Sequence, residues 1–579
     1  MKFARPLAIL IACLAGSSLV STPARADFSQ WQVDIGYADL ANRLGSQLPT
    51  GQSVRALQVE ADFQAAGVYM PNAAQAELSG KTVTDLTNQP GTYSWHANEV
   101  ARYYYGNLTS MTPGISTVGV YQSTDFGARV LSRNYPSLPP DDLSGYDVVN
   151  HSWIGFDTGT AAQTALARFD YQIAQSGVFA AVGMNNVEQN QTTGQWSGYS
   201  MLPLWGSSHN SLAVGVSSAY SSHGPSPIGT AKPELVVPVS KTSWATAVVS
   251  SAGALLIDGS TARGWDQGKD GRVIKALMMA GATKLGPRQT VTGTNGTAFT
   301  APAWRQGNSD ITDTDHTQPL DWYQGAGQLN VSNSWDILRM GRQGPSDSAN
   351  VSHTGYDLQA VSAASPQRYF FDLTNQATTF SAVLNWYSNV TGMVNGAWSN
   401  TTSTPNLDLR LYAVTPDTYT LTGSALQASH SMVDNVEHVF SSAGLAPGRY
   451  VLVIDGAQVG NTYALAWQSL TPILSGDANT DGVVDVGDLG ILGANYGSAN
   501  GKAWVSADFT GDGVVDVGDL AILGANYGAT LPAGGYAVTP AQLSALSGGG
   551  MGLDSSVVPE PATLSLLTLG LLALRRRAK

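Results

Sequence analysis

The strongest constraint on how this chain folds lies between residues 27 and 345, where two kinds of apolar segment alternate. Short pieces such as VRALQVEA, YDVVNHSWIG, VFAAVGMNN and SLAVGVSSA have the length and β-branched content of buried strands. Between them lie longer pieces with helical spacing: HANEVARYYYG, TALARFDYQIAQS, WATAVVSSAGALLID and RVIKALMMAGA. Neighbouring parallel strands need a crossover, and a helix is its usual form. The alternation therefore predicts an α/β unit, a parallel sheet with helices on both faces. In such folds reactive side chains collect at the carboxyl ends of the strands.

A chain of 579 residues is too long for one core and predicts about two to four domains. From 346 to 472 the pattern changes to short strands, RYFFDLTN, TTFSAVLNWYS, LDLRLYAV, RYVLVIDG and TYALAWQSL, separated by Gly, Pro and Asn turns. That region is expected to be an all-β sandwich. Charged residues make up 12% of the chain and the net charge is −13. No basic stripe interleaved with aromatics is present, which argues against a nucleic-acid partner.

A repeat follows. GDANTDGVVDVGDLGILGANYG begins at Gly476, and ADFTGDGVVDVGDLAILGANYG begins at Ala507. Each copy opens with oxygen-bearing residues at the spacing of a twelve-residue calcium loop. The first set is Asp477, Asn479, Asp481, Val483 through its carbonyl, Asp485 and Asp488. The second is Asp508, Thr510, Asp512, Val514 through its carbonyl, Asp516 and Asp519. Gly482 and Gly513 take the sixth position, where the loop turns sharply. Two copies with the same internal spacing argue against a merely solvated acidic loop. Two calcium ions are expected within residues 476–528, with Thr510 a weaker donor than Asn479. The last ligand is Asp, and each loop runs into a short helix, so residues 473–530 resemble a dockerin type I module. The resemblance implies a small helical calcium-binding unit and a cohesin-type partner.

Both termini carry targeting features. Lys2 and Arg5, the apolar run Leu7 to Leu14, and Ala24-Arg25-Ala26 have the order of an export signal spanning residues 1–26. Leu10-Ile11-Ala12-Cys13 also fits a lipoprotein box, so acylation at Cys13 is the alternative to cleavage after Ala26. Cys13 is the only cysteine, so a chain cleaved after Ala26 can form no disulfide and has no thiolate chemistry. After a linker at 531–557, residues 558–579 open with Val558-Pro559-Glu560-Pro561, continue through a largely apolar stretch from Ala562 to Leu574, and end in an arginine cluster at Arg575 to Arg577. This order resembles a PEP-CTERM sorting signal. It implies reading by an exosortase-type enzyme, transient anchoring in the inner membrane, and a final place at the cell surface or outside the cell.

A third resemblance rests on TAKPELVVP followed by TSWATAVVSSAGALLIDG, on SWHANEVARYYYG, and on YDVVNHSWIG and VFAAVGMNN in the same order. These segments, with RVIKALMMAGA and GAGQLNVSNSWDIL after them, resemble the catalytic domain of subtilisin-like serine peptidases. The resemblance covers about 300 residues and implies an endopeptidase acting on protein or peptide substrates. It puts Ser243 at the nucleophile, His96 at the general base and Glu60 at the end of the acid strand, with Asp62 as the alternative acid. Asn185 is the expected oxyanion-hole amide, with Asn186 as the alternative, because Met184 follows Gly183 where the amide is usual. The chemistry requires these residue types: a serine hydroxyl needs an imidazole to take its proton, and the imidazole needs a carboxylate to orient it. A small hydroxyl residue ahead of an apolar helical run is also an ordinary helix cap, and Ser243 is expected to fill both roles.

Besides Met184 after Gly183, the sequence departs from that family in three places. Glu stands where Asp is usual, Lys241 replaces a small residue, and only Val239, Ser240 and Lys241 separate Pro238 from Thr242. These departures keep a second function class open: an inactive scaffold of the same fold serving as a calcium-dependent surface-binding or structural protein.

Overall fold

A computed structural model describes residues 28–531, apart from 89, 133–140, 156–158, 188–204, 219, 287–290, 293–297, 300–301, 309–312, 363–364, 396, 417, 471–472 and 499. The export signal, Cys13 and the sorting signal lie outside the described residues.

The first unit is a mixed α/β fold built on a seven-stranded parallel sheet. Its strands are β1 (Ala56–Glu60), β2 (Thr82–Asp85), β3 (Thr117–Gln122), β4 (Val148–His151), β5 (Phe179–Gly183), β6 (Leu212–Val216) and β7 (Leu235–Val237). They lie in the order β7-β6-β5-β4-β1-β3-β2. The chain starts in the middle at β1, fills one side with β2 and β3, then crosses to fill the other. That reversal opens a crevice at the carboxyl ends of β1 and β4.

Alternate residues of these strands face different helix layers. Val118, Val120, Val148 and Ala181 pack with α1 (Trp95–Tyr105), α3 (Thr242–Arg263), α4 (Gly271–Ala280) and α5 (Val331–Met340). Leu57, Val59, Val149 and Val182 pack on the other face with the helix Ser123–Arg129 and α2 (Gly159–Ser176). The central helix α3 is buried almost all round, and small side chains let it approach the sheet. A Cβ on Gly253 would sit 2.5 Å from the Phe179 ring. Gly264, at φ +69°, ends α3 in the left-handed conformation that suits glycine.

The second unit contains two further sheets. One holds the antiparallel strands Leu421–Ser429, Asp408–Val414, Gly448–Asp455 and Gln367–Leu373, with Asp315–His316 added in parallel beside the first. The other holds Thr354–Ala360, Thr462–Ser469, Phe380–Trp386 and Val436–Ser441. The sheets share a core that includes Tyr369, Phe371, Phe380, Leu452 and Trp467. The outer face of the four-stranded sheet, at Val383, Val436, Ala464 and Ala466, joins the core of the α/β unit. Asp315–His316 falls before residue 346, where the sequence reading starts the β region, because a two-residue bridge carries no periodicity to read.

The repeat forms two loops, each followed by a helix: α6 (Val486–Asn495) and α7 (Val517–Asn526). Their core of Val484, Leu492, Val515 and Leu523 takes in Met340 of α5. This small unit is docked on its neighbours. Arg263, at the end of α3, donates from Nε to the Gly511 carbonyl and accepts from Gly501 N at 2.8 Å. The Trp265 indole donates to Lys502 O at 2.6 Å. On the other side Thr480 and Ser352 hydroxyls pair at 2.9 Å.

Candidate active site

Glu60 is the last residue of β1 and is fully buried. His96 lies in the first turn of α1, whose N-cap Ser94 accepts from Ala97 N through its hydroxyl. Ser243 lies in the first turn of α3. Three elements far apart in sequence therefore deliver three side chains to the crevice. His96 Nδ1 pairs with Glu60 Oε2 at 2.8 Å, and His96 Nε2 with Ser243 Oγ at 3.0 Å. The carboxylate fixes the tautomer, with the proton on Nδ1 and a lone pair on Nε2 facing the hydroxyl. Burial draws the His96 pKa down, and the charge and hydrogen bond of Glu60 more than offset this, so the imidazole titrates above its ordinary value.

The surroundings rigidify this line. Ser152, just past β4, donates from its hydroxyl to Ser243 O at 2.8 Å, and its own carbonyl lies 3.1 Å from Ser243 Oγ. Phe63 stacks on the His96 ring at 5.8 Å, and Trp244 meets it at 5.6 Å. Asp62 is exposed and accepts from Gly67 N, so Glu60 is the carboxylate that reaches His96.

Ser243 is not the helix cap, which corrects the sequence expectation. Lys241 holds the N-cap position without a side-chain bond. The first N–H of α3, from Thr242, is taken instead by Asn186 Oδ1 at 2.9 Å. The local sequence concealed this because the capping atom comes from a strand end 56 residues earlier. Asn186 is thus the amide bound at the start of α3, while Asn185 accepts from Ser222 N through its peptide carbonyl. Met184 is buried in the core. The first-turn N–H groups of α3 lack intrahelical partners and carry the positive end of the helix dipole, a setting suited to a developing oxyanion.

Sequence reasoning also missed the interior partner of Glu60. Gln58, two residues earlier on β1, donates to Glu60 Oε1 at 2.8 Å. The only signal was an amide in the middle of an apolar strand, ALQVE.

The candidate calcium loops lie outside the crevice. Gly482 and Gly513 have φ of +85° and +88°, the left-handed turn required at the sixth position. Asp485 and Asp516 cap α6 and α7, and Asp488 and Asp519 complete their capping boxes. Asp477 Oδ2 accepts from Gly482 N, and Asp508 Oδ2 from Gly513 N. Asp481 and Asp512 accept from the N–H groups of Val483 and Val514, and Asn479 donates to Asp481. Thr510 donates to Asp508. Among the described residues no three acidic or imidazole side chains converge on one point. The carboxylates are instead turned onto loop N–H groups. Burial, helped by neighbouring carboxylates, pushes Asp477 up to about 7 and Asp508 up to about 6. Buried carboxylates in that condition call for a proton or a cation, and an all-oxygen donor set fits a hard divalent ion.

No curated protein matches the sequence. Among solved structures, the chain is similar to the prenylagaramide maturation protease PagA at 15% identity and a TM-score of 0.33, covering 51% of this chain and 96% of that one. It is similar to the patellamide maturation protease PatA at 18% identity and a TM-score of 0.32, covering 50% and 98%. No helix among the described residues is long and apolar enough to cross a membrane. Residues 557–578 match the PEP-CTERM protein-sorting motif, the mark of an exported protein that is anchored at the membrane through its C-terminus and recognised by an exosortase-type enzyme.

Proposed function

We propose that this chain is an exported serine endopeptidase. One observation carries the reading: the unbroken hydrogen-bond line from Glu60 through His96 to Ser243, at 2.8 and 3.0 Å. In the acylation step His96 Nε2 takes the Ser243 proton as Oγ attacks a substrate carbonyl. Glu60 stabilises the imidazolium that forms. The first-turn N–H groups of α3 beyond Thr242, whose N–H is held by Asn186, receive the charge on the substrate oxygen. His96 then gives its proton to the leaving amine, and water repeats the sequence to release the acyl group. The substrate is a protein or peptide at the cell surface.

The loops at 477–488 and 508–519 are the calcium-binding part of this reading, with the twelve residues named from the sequence as donors. When bound, calcium would neutralise the crowded carboxylates and fix each loop. A cohesin-type partner is the further proposal that the dockerin resemblance brings.

A fluorophosphonate probe tests the catalytic reading. It should label the wild-type chain at Ser243 and leave Ser243→Ala unlabelled. A folded wild type that neither reacts nor cleaves an unfolded protein substrate would replace the enzyme with the inactive surface scaffold.

A further inference from the structure

An amide in the middle of a central parallel strand is costly to bury unless every polar atom is satisfied. Gln58 is fully buried on β1, on the same face as Glu60. Its Nε2 donates to Glu60 Oε1 at 2.8 Å and to Ala97 O at 3.0 Å. Its Oε1 accepts from the Tyr105 hydroxyl at 2.6 Å. An ionised carboxylate and a peptide carbonyl can only accept, so the NH2 side of the amide must face them. Tyr105 lies at the far end of α1 and is buried, and burial followed by the nearby Glu60 charge holds its pKa well above the ordinary value. It is therefore a permanent donor that fixes the other side of the amide.

We infer that Gln58, held by Tyr105, is the positioning residue of the catalytic acid. It rests on the peptidase reading and adds to it. Glu has one more rotatable bond than Asp, so a glutamate acid needs a second restraint to keep one oxygen on the histidine. Gln58 supplies that restraint by holding Oε1, which leaves Oε2 for His96 Nδ1. The same amide grips Ala97, the residue after His96, so one side chain sets the acid strand against the base helix. Glu60 is the charged group acting on His96.

The test uses the full chain and two readouts: the rate of fluorophosphonate labelling with peptide turnover, and the titration of His96 by NMR of labelled imidazoles. Gln58→Leu keeps an apolar body of similar size and removes the donor. It should lower kcat about 10- to 100-fold with little change in KM, as expected for a misplaced catalytic group. The His96 titration should move down, because the released carboxylate spends less time on Nδ1. In a Glu60→Gln background the same substitution should cost less than about twofold, since residues that act as one unit are non-additive. Equal losses in both backgrounds, or an unmoved His96 titration, would overturn the inference. If Gln58→Leu does not fold, Tyr105→Phe takes its place and should give a smaller loss in the same direction. If the wild type never labels, the peptidase reading fails, and the His96 titration still decides the role of Gln58.

Discussion

The crevice and the two acidic loops both bury carboxylates, and they satisfy them in opposite ways. Each Glu60 oxygen is held by a side chain, Gln58 on one and His96 on the other. In the loops Asp477, Asp488, Asp508 and Asp519 take backbone N–H groups of their own twelve-residue segments. The crevice is thus assembled by the whole α/β unit, whereas each loop is assembled by itself. Such a difference predicts separable failures. Damage to a side chain in the crevice should end chemistry without unfolding the chain, and damage to a loop should loosen its unit without ending chemistry.

The sharpest break comes from the acid. Glu60→Gln should retain the wild-type circular dichroism and lose about 10⁴ in kcat, the scale of such acid-to-amide changes in serine peptidases. Asp62→Asn should stay within about twofold in the same assay. If the two outcomes are reversed, Glu60 is not the acid.

Removing calcium should act on the other region. A chelator should raise hydrogen exchange across residues 477–531 and lower the melting temperature of that unit, because ligand at a hundred times Kd stabilises by about 2.7 kcal/mol. Labelling of Ser243 at 25 °C should persist. If labelling and exchange change together, the two regions are one cooperative unit. Calorimetry on the full chain should show two sites, and Asp477→Ala should remove one of them.

Arg263→Ala probes the contact between the regions. It removes the bond to Gly511 and the guanidinium that lies 4.8 Å from the centre of the Trp335 ring. A loss of about 2 kcal/mol is expected, read as earlier proteolysis of residues 476–531. Peptide turnover should be unchanged.

The pH dependence separates chemistry from stability within the crevice. His96 is raised above its ordinary value, and catalysis needs its neutral form. Turnover should therefore fall about tenfold per unit as pH drops below the His96 value. The stability supplied by the His96–Glu60 pair runs the other way. It is fully present below the ordinary imidazole value of about 6.5 and is lost as pH rises through the folded value. A melting-temperature series across that window in wild type and Glu60→Gln tests the sign. The smallest effect is expected from Ser94→Ala, which removes the cap of α1 at a cost of about 1 kcal/mol and leaves His96 in place.

How much of this was legible follows from the same contrast. The sharp turns at Gly482 and Gly513 and the helix after each loop could be read from the sequence, because the residues that set them lie within twelve positions. The parallel sheet was legible through segments such as VFAAVGMNN, whose apolar run matches burial on both faces. The short strands Thr82–Asp85 and Leu235–Val237 were not, since three or four residues show no period. Alternation in the β region was only partial because Phe380–Trp386 is buried along its whole length, between its own core and the α/β unit. Glu60, His96 and Ser243, which the structure joins by hydrogen bonds, were singled out through motif order. Tyr105 and the Asn186 cap were not, because their partners are distant in sequence, and Gln58, though only two residues from Glu60, was not because a strand pattern does not record what a side chain meets.

The docking of the repeat also sets a path for mechanical load. While the chain is anchored through its C-terminus, any pull comes from that side. Tension arriving at Leu531 first meets its N–H bond to Gly482 O at 2.9 Å and the bridge between Thr530 and Val483 in the first loop. From there it passes to the Ser352 seat and to Arg263. Ser243 lies at the opposite end of α3, about 30 Å away at 1.5 Å per residue. Tension entering from the C-terminus would therefore reach the contacts of the repeat before the hydrogen bonds of the crevice.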